Sequence, residues 1–208
     1  MNKTKLKAAE NYFLSKYPGG FSDPAMAEIV KKHKPEKMKK LSKESFSLDK
    51  FTDPQEIIDS MNKIISRSSM VSVFEKPKFR DFAKAMKDEE KAFLANGLKE
   101  FLHGNQELGF DQMKDLLTEY KLAKWTLLTI CPVYYNPGFE VFIKPTTVKN
   151  IISYFEIQDL VYSPKPSYSF YEKYRKELNA MKSLADPKLR IDNAAYSGFL
   201  MMSMHPDF

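Results

Sequence analysis

Six times in 208 residues a polar side chain is followed by proline and then by a stretch with helical spacing: Asp23-Pro24, Lys34-Pro35, Asp53-Pro54, Lys76-Pro77, Lys144-Pro145 and Asp186-Pro187. Proline at the first helical position gives up only an N–H that has no partner there, and its fixed φ already suits the helix. Such pairs therefore mark starts. After Asp53, the apolar residues Ile57, Ile58, Met61, Ile64 and Ile65 recur at the spacing of one helical face. Phe79, Phe82, Ala83 and Met86 meet the same test, as do Leu94, Leu98, Phe101 and Leu102, and then Phe110, Met113, Leu116, Leu117 and Tyr120.

The stretch from Trp125 to Tyr134 differs, because apolar residues fall on every side of it, as in a helix surrounded by others. Pro132 and the Asn136-Pro137-Gly138 turn are expected to end or kink it. Phe139 to Ile143 then alternates as an extended segment does, and Pro145 opens a helix with Val148, Ile151, Ile152 and Phe155 on one face. A Pro-rich connector, residues 163–167, precedes a long helix over 168–184, and a last apolar helix over 191–204 ends in Met201, Met202 and Met204. The fold class read from this is all-α: a multi-helix bundle around a central apolar helix, with at most a minor β-hairpin. One domain is expected over 1–208, with a basic helical layer in 1–50 and the main bundle in 51–208.

That division follows the charge. The net charge is +6, and residues 1–50 hold 12 lysines against 6 acidic residues, so the whole excess lies there. Lys31, Lys32, Lys34, Lys37, Lys39, Lys40 and Lys43 put seven ammonium groups into thirteen positions, enough to attract a polyanion such as nucleic acid. The alternative is a solvated helix face, because Glu28, Glu36 and Glu44 are interspersed. Arginine, which favours bidentate readout of phosphate and guanine, occurs only at Arg67, Arg80, Arg175 and Arg190.

Several chemistries are excluded. His33, His103 and His205 are far apart and there is one cysteine, so no recognisable metal site is present and no cofactor is expected. Gly104 and Gly109 have phosphate-loop spacing, but Phe110-Asp111 follows where Lys and Ser or Thr are required. Cys131 sits beside Pro132 in the most apolar helix, which makes it a structural residue. Asp88-Glu89-Glu90 is expected to begin a helix, and Asp111 with Asp115 to cap or flank another. No residue is assigned as catalytic. A single cysteine and the lack of a signal-peptide pattern point to a cytoplasmic protein, and no apolar run is long enough to span a membrane.

Phe139 to Tyr171 gathers Lys144, Thr146, Thr147, Lys149, Asn150, Lys165, Tyr168 and Tyr171 into one helix, one loop and one helix start. The polar face could lie against phosphates with tyrosines for stacking, or it could simply face solvent. Asp192, after Arg190, is either a site residue or an N-cap paired with a nearby lysine.

Tyr17-Pro18-Gly19-Gly20-Phe21, Phe74-Glu75-Lys76, Trp125-Thr126-Leu127-Leu128-Thr129, Phe142-Ile143-Lys144-Pro145-Thr146 and Lys165-Pro166-Ser167-Tyr168-x-x-Tyr171 together resemble a family of uncharacterised bacterial proteins of similar size. The chain departs from that pattern at Thr126, Lys165 and Tyr168, where the family tends to have Pro, Arg and Trp. The resemblance supplies no reaction, but it points to Lys144, Thr146, Tyr168, Tyr171 and Asp192. A fainter outline, Leu127 through Phe155, resembles the helix-hairpin-helix DNA glycosylases. Lys144-Pro145-Thr146 stands there where that family's catalytic aspartate belongs, so the general base is missing.

Three functions remain open from the sequence. One is a polyanion-binding module using the Lys31–Lys43 segment and the region from Lys144 to Lys165. Another is an enzyme or small-ligand binder whose pocket gathers Trp125, Lys144, Thr146, Tyr168, Tyr171 and Asp192. The third is a helical interaction module using the C-terminal methionines, and the oligomeric state is left open.

Overall fold

The computed structural model describes residues 1–204, and the remaining positions, His205 among them, lie outside the described residues. The fold is all-α, a helical bundle, with no strand among the described residues. In chain order the helices are α1 (Lys3–Lys16), α2 (Ala27–His33), α3 (Pro35–Ser45), α4 (Pro54–Arg67), α5 (Glu75–Ala85), α6 (Asp88–His103), α7 (Gln106–Glu119), α8 (Trp125–Tyr135), α9 (Pro145–Tyr154), α10 (Tyr168–Leu184) and α11 (Asn193–Ser203).

Several starts are capped by side chains, two of them, Asp53 and Asp192, where the sequence suggests a start. Asp53 accepts from the N–H groups of Gln55 and Glu56, Asn105 from Leu108, Ser167 from Phe170 and Asp192 from Ala195. Pro35, Pro54 and Pro145 occupy first helical positions. Pro77 does not: α5 begins two residues earlier at Glu75, and proline is tolerated there because first-turn N–H groups have no partner inside the helix. Asp186-Pro187 opens only a 3-10 turn, Pro187–Leu189, before the chain restarts at Asp192. Asp111 and Asp115 lie within α7 and pair with Lys114 at 2.7 and 3.4 Å, so they cap nothing.

Helix α8 is the centre: ten of its residues, Trp125 to Tyr134, are buried, and α3, α4, α6 and α7 pack on it. It runs through Pro132 and ends at Tyr135, where the Asn136-Pro137-Gly138 turn begins with Asn136 as the cap. The segment 139–143 that follows has no ladder partner: the Phe139 and Glu140 N–H groups turn back to the Asn136 carbonyl, and side chains take up others. The Thr129 hydroxyl accepts from the Ile143 N–H at 3.1 Å, and the Tyr171 hydroxyl from Val141 at 3.4 Å.

Two glycines are required by close approach. A Cβ on Gly109 would stand 2.2 Å from the Phe101 backbone nitrogen, so its absence lets α6 and α7 lie against one another. Gly20, in the Tyr17–Phe21 segment, has φ of +62°, and a Cβ there would meet Lys188 at 2.8 Å. That segment is thereby docked on the Pro187–Leu189 turn, where the Lys188 ammonium donates to the Pro18 carbonyl. Helices from the first fifty residues reach both the centre and the closing helix, with α3 against α8 and α1 against α11.

Candidate functional site

A cleft of about 380 Å³ opens between α2, the start of α3, the end of α8, α9 and α11. Its lining is predominantly apolar. Four large apolar side chains face it while remaining open to solvent: Ile29 and Val30 of α2 at 38% and 43% exposure, Ile191 at 52% and Met201 at 49%. Helix α2 buries no residue at all, so this hollow is where its apolar side chains go. On the opposite wall α11 presents Ala194, Ala195 and Gly198, and a Cβ built on Gly198 meets nothing within 4 Å. Small residues thus keep that wall clear.

The polar groups come from four parts of the chain: His33, Lys39, Lys144 and Asp192. Asp192 is buried and does two jobs: one oxygen accepts the Ala195 N–H at 2.7 Å, and the other accepts from the Lys39 ammonium, also at 2.7 Å. Both structural roles open to it, cap and ion-pair partner, are therefore filled while it lines the cleft. Burial pulls the Lys39 ammonium down, but the hydrogen bonds from Lys39 to Asp192 and Glu36 outweigh it and leave Lys39 above its ordinary value. Lys144, exposed, lines the cleft beside Thr147 of α9. Thr146 is exposed and turned away, because one residue along a helix rotates the side chain by about 100°.

His33 ends α2 and forms a hydrogen bond through Nδ1 with the Ser69 hydroxyl at 2.7 Å. Burial, and then the charges of Lys32 and Lys144, hold its imidazole below the ordinary value of 6.5. Among the described residues no carboxylate is hydrogen-bonded to this ring, so nothing orients it as the third group of a catalytic triad would. The loop carrying Ser69 is itself pinned, since buried Ser68 shares a hydrogen bond with the Tyr134 hydroxyl at 3.0 Å.

A second hollow, about 560 Å³ and basic, lies on the other flank of α3. Lys32, Lys34, Lys37, Lys40 and Arg67 line it against a single carboxylate, Glu44, which pairs loosely with Lys40 at 3.8 Å. The other expected basic residues are placed elsewhere: Lys39 is committed to Asp192 and Glu36, Lys31 lies 3.9 Å from Glu28, and the Lys43 ammonium sits 4.3 Å from the Tyr135 ring centre. Arg67 has no counterpart in the sequence reading; its place at the end of α4 brings it to the lysines only in the fold.

Trp125, Tyr168 and Tyr171 do not share the cleft with Lys144 and Asp192. Trp125 opens α8, whereas Tyr134, which lines the cleft, stands nine residues along it, roughly 13 Å at 1.5 Å per residue. The indole N–H donates to the Ser163 carbonyl at 2.8 Å, and its ring packs on Phe110 and Phe170. Tyr171 donates to the buried Glu140 carboxylate at 2.6 Å, and Glu140 also receives Arg175 and the Gln106 amide, each at 2.8 Å. Tyr168 makes a long contact, 3.5 Å, with Gln106. Burial, and then the Glu140 charge, drive the Tyr171 hydroxyl well above its ordinary value. This is a closed polar network.

The network was recoverable from two signals, a lone carboxylate in the apolar run 139–143 and one of four arginines in a lysine-rich chain. Cys131 is buried, and burial pushes its thiol far up, so it is no nucleophile. Among the described residues no group of His, Cys, Asp and Glu could hold a metal ion, and no helix is long and apolar enough to cross a membrane. Comparison of the chain with protein-family models, with curated proteins and with solved structures finds no match.

Proposed function

We propose that the chain is a binding protein for a small, largely apolar ligand held in the cleft between α2 and α11. One observation carries this reading: four exposed apolar side chains from separate parts of the chain converge on one hollow. Scattered exposed apolar groups are ordinary, but a convergent set lining a concavity marks a binding surface, and clefts of roughly 300–1,000 Å³ suit small molecules. The polar groups, Lys39 with Asp192, Lys144 and His33, orient an occupant and select its head group. Met201 and Met202 serve here as adaptable walls.

The test uses an uncharged, environment-sensitive dye such as Nile red. The native chain is expected to bind it and shift its emission to the blue, and Gly198→Leu, whose Cβ enters open space and whose longer side chain occupies the hollow, is expected to abolish the shift. A native chain that leaves the dye unchanged, or a Gly198→Leu chain that binds it equally, overturns the reading.

The basic hollow favours a second reading, polyanion binding, nucleic acid included, through Lys32, Lys34, Lys37, Lys40 and Arg67. Its check is binding to duplex and single-stranded DNA across a salt series, where neutralised phosphates appear as the slope. A flat salt dependence, or no binding at low salt, removes it.

A further inference from the structure

The apolar cleft and the basic hollow share a wall. His33 lines both; Ser69, its hydrogen-bond partner, faces the cleft, and Arg67, two residues before Ser69, faces the basic side. The electrostatics of His33 record the same arrangement, since Lys32 belongs to the basic hollow and Lys144 to the cleft. Among the described residues, Lys32, Lys34, Lys37 and Arg67 enter no ion pair, although carboxylates are plentiful in the chain.

Lys34 adds an observation of a different kind. It adopts φ 47°, ψ 48°, the left-handed conformation at the end of α2. Glycine or asparagine is favoured there, a lysine is strained, and the following Pro35 disfavours helical backbone at the preceding residue. The strain falls at a position that presents an uncompensated ammonium to the basic hollow.

We propose that the two hollows are the halves of one site, and that it takes an amphipathic phosphate: an alkyl or prenyl-like tail in the cleft and a phosphate head in the basic hollow, with His33 and Ser69 as the saddle between. The proposal rests on the cleft being a ligand site and adds the class of ligand. Charge complementarity selects phosphate, because four uncompensated cations exceed what a carboxylate needs, and lysines act on phosphate as point charges. A free phosphate lacks the tail that the cleft would bury, and the basic hollow offers an uncharged alcohol no charge to meet.

The experiment is calorimetric titration of the full chain with dodecyl phosphate below its micellar concentration, with dodecanol and with inorganic phosphate. Dodecyl phosphate is expected to bind about tenfold or more tighter than either fragment, as charge-assisted hydrogen bonds add to tail burial. Lys34→Gly relieves the backbone, so it folds at least as well as the parent. It is expected to weaken dodecyl phosphate severalfold and to leave dodecanol unchanged. Gly198→Leu is expected to weaken both.

Equal affinities for dodecyl phosphate and dodecanol, both lost in Gly198→Leu, overturn the composite site and leave the cleft reading standing. Absence of binding by dodecanol and dodecyl phosphate alike overturns both. Inorganic phosphate or DNA binding that Lys34→Gly weakens, with no gain from a tail, assigns the basic hollow to polyanions and overturns the proposal. Co-sedimentation with phosphatidic acid vesicles, lost in both variants, supports it with a membrane-borne source, whereas binding of monomeric dodecyl phosphate without vesicle binding supports it with a free one.

Discussion

Two ion pairs, one buried on both sides and one with only its carboxylate buried, differ in what surrounds them. Glu140 and Arg175 meet at 2.8 Å with Tyr171 and Gln106 completing the carboxylate's hydrogen bonds, and aromatic rings closing over the guanidinium, Phe139 among them at 4.4 Å. Lys39 and Asp192 meet at 2.7 Å, but one side of that pair is the wall of an apolar hollow. A polar network that is complete and has no adjoining space can only hold the fold together, whereas the same chemistry beside unfilled volume is available to a ligand.

The comparison breaks first at its closed member. Arg175→Ala is expected to cost about 3–5 kcal/mol, read from urea midpoints, because it strands a buried carboxylate. Joint replacement of Glu140 and Arg175 by Leu and Met is expected to recover much of that loss, as paired apolar replacements do. Asp192→Ala is expected to cost less, about 2 kcal/mol, combining a lost cap with a partly compensated lysine. Lys39 retains Glu36 and reaches solvent. If Asp192→Ala proves as damaging as Arg175→Ala, the distinction between the two pairs fails.

Gly198→Leu comes next, with stability expected within about 1 kcal/mol of the parent, since the added Cβ enters open space and the rest of the side chain has the hollow beside it rather than a packed core. A loss as large as that of Arg175→Ala would show that the hollow is not free volume. The smallest effect belongs to His33→Gln. Because the folded imidazole is held below 6.5, the unfolded chain takes up the proton first, so stability is full above that value and falls as pH drops toward the folded one. His33→Gln is expected to flatten this decline, measured as urea midpoints between about pH 5 and 7.

The fold was legible because its signals are local. Proline starts, Asp caps and apolar spacing of 3.6 each act within one helix, and the encircled run at Trp125–Tyr134 announced its own central place. Errors fell where a proline pair does not open an α-helix, as when Pro77 falls inside the first turn of α5 and Asp186-Pro187 opens only a 3-10 turn. The site was less legible. Lys144 and Asp192 line one cleft, yet Tyr171 belongs to the closed network and Trp125 is bonded to the Ser163 carbonyl, and no spacing along the chain distinguishes a tyrosine that seals a core from one that faces a ligand. His33 with Ser69, and Arg67 with the lysines, are joined only by the fold.

Helix α2 carries one more consequence. Two turns long and burying no side chain, it has little to hold it closed beyond its own backbone and the His33–Ser69 contact. Its amides should exchange with solvent through a local opening far cheaper than global unfolding. An occupant that covers Ile29 and Val30 would add its binding energy to that opening, so protection of this one segment would report occupancy of the cleft directly.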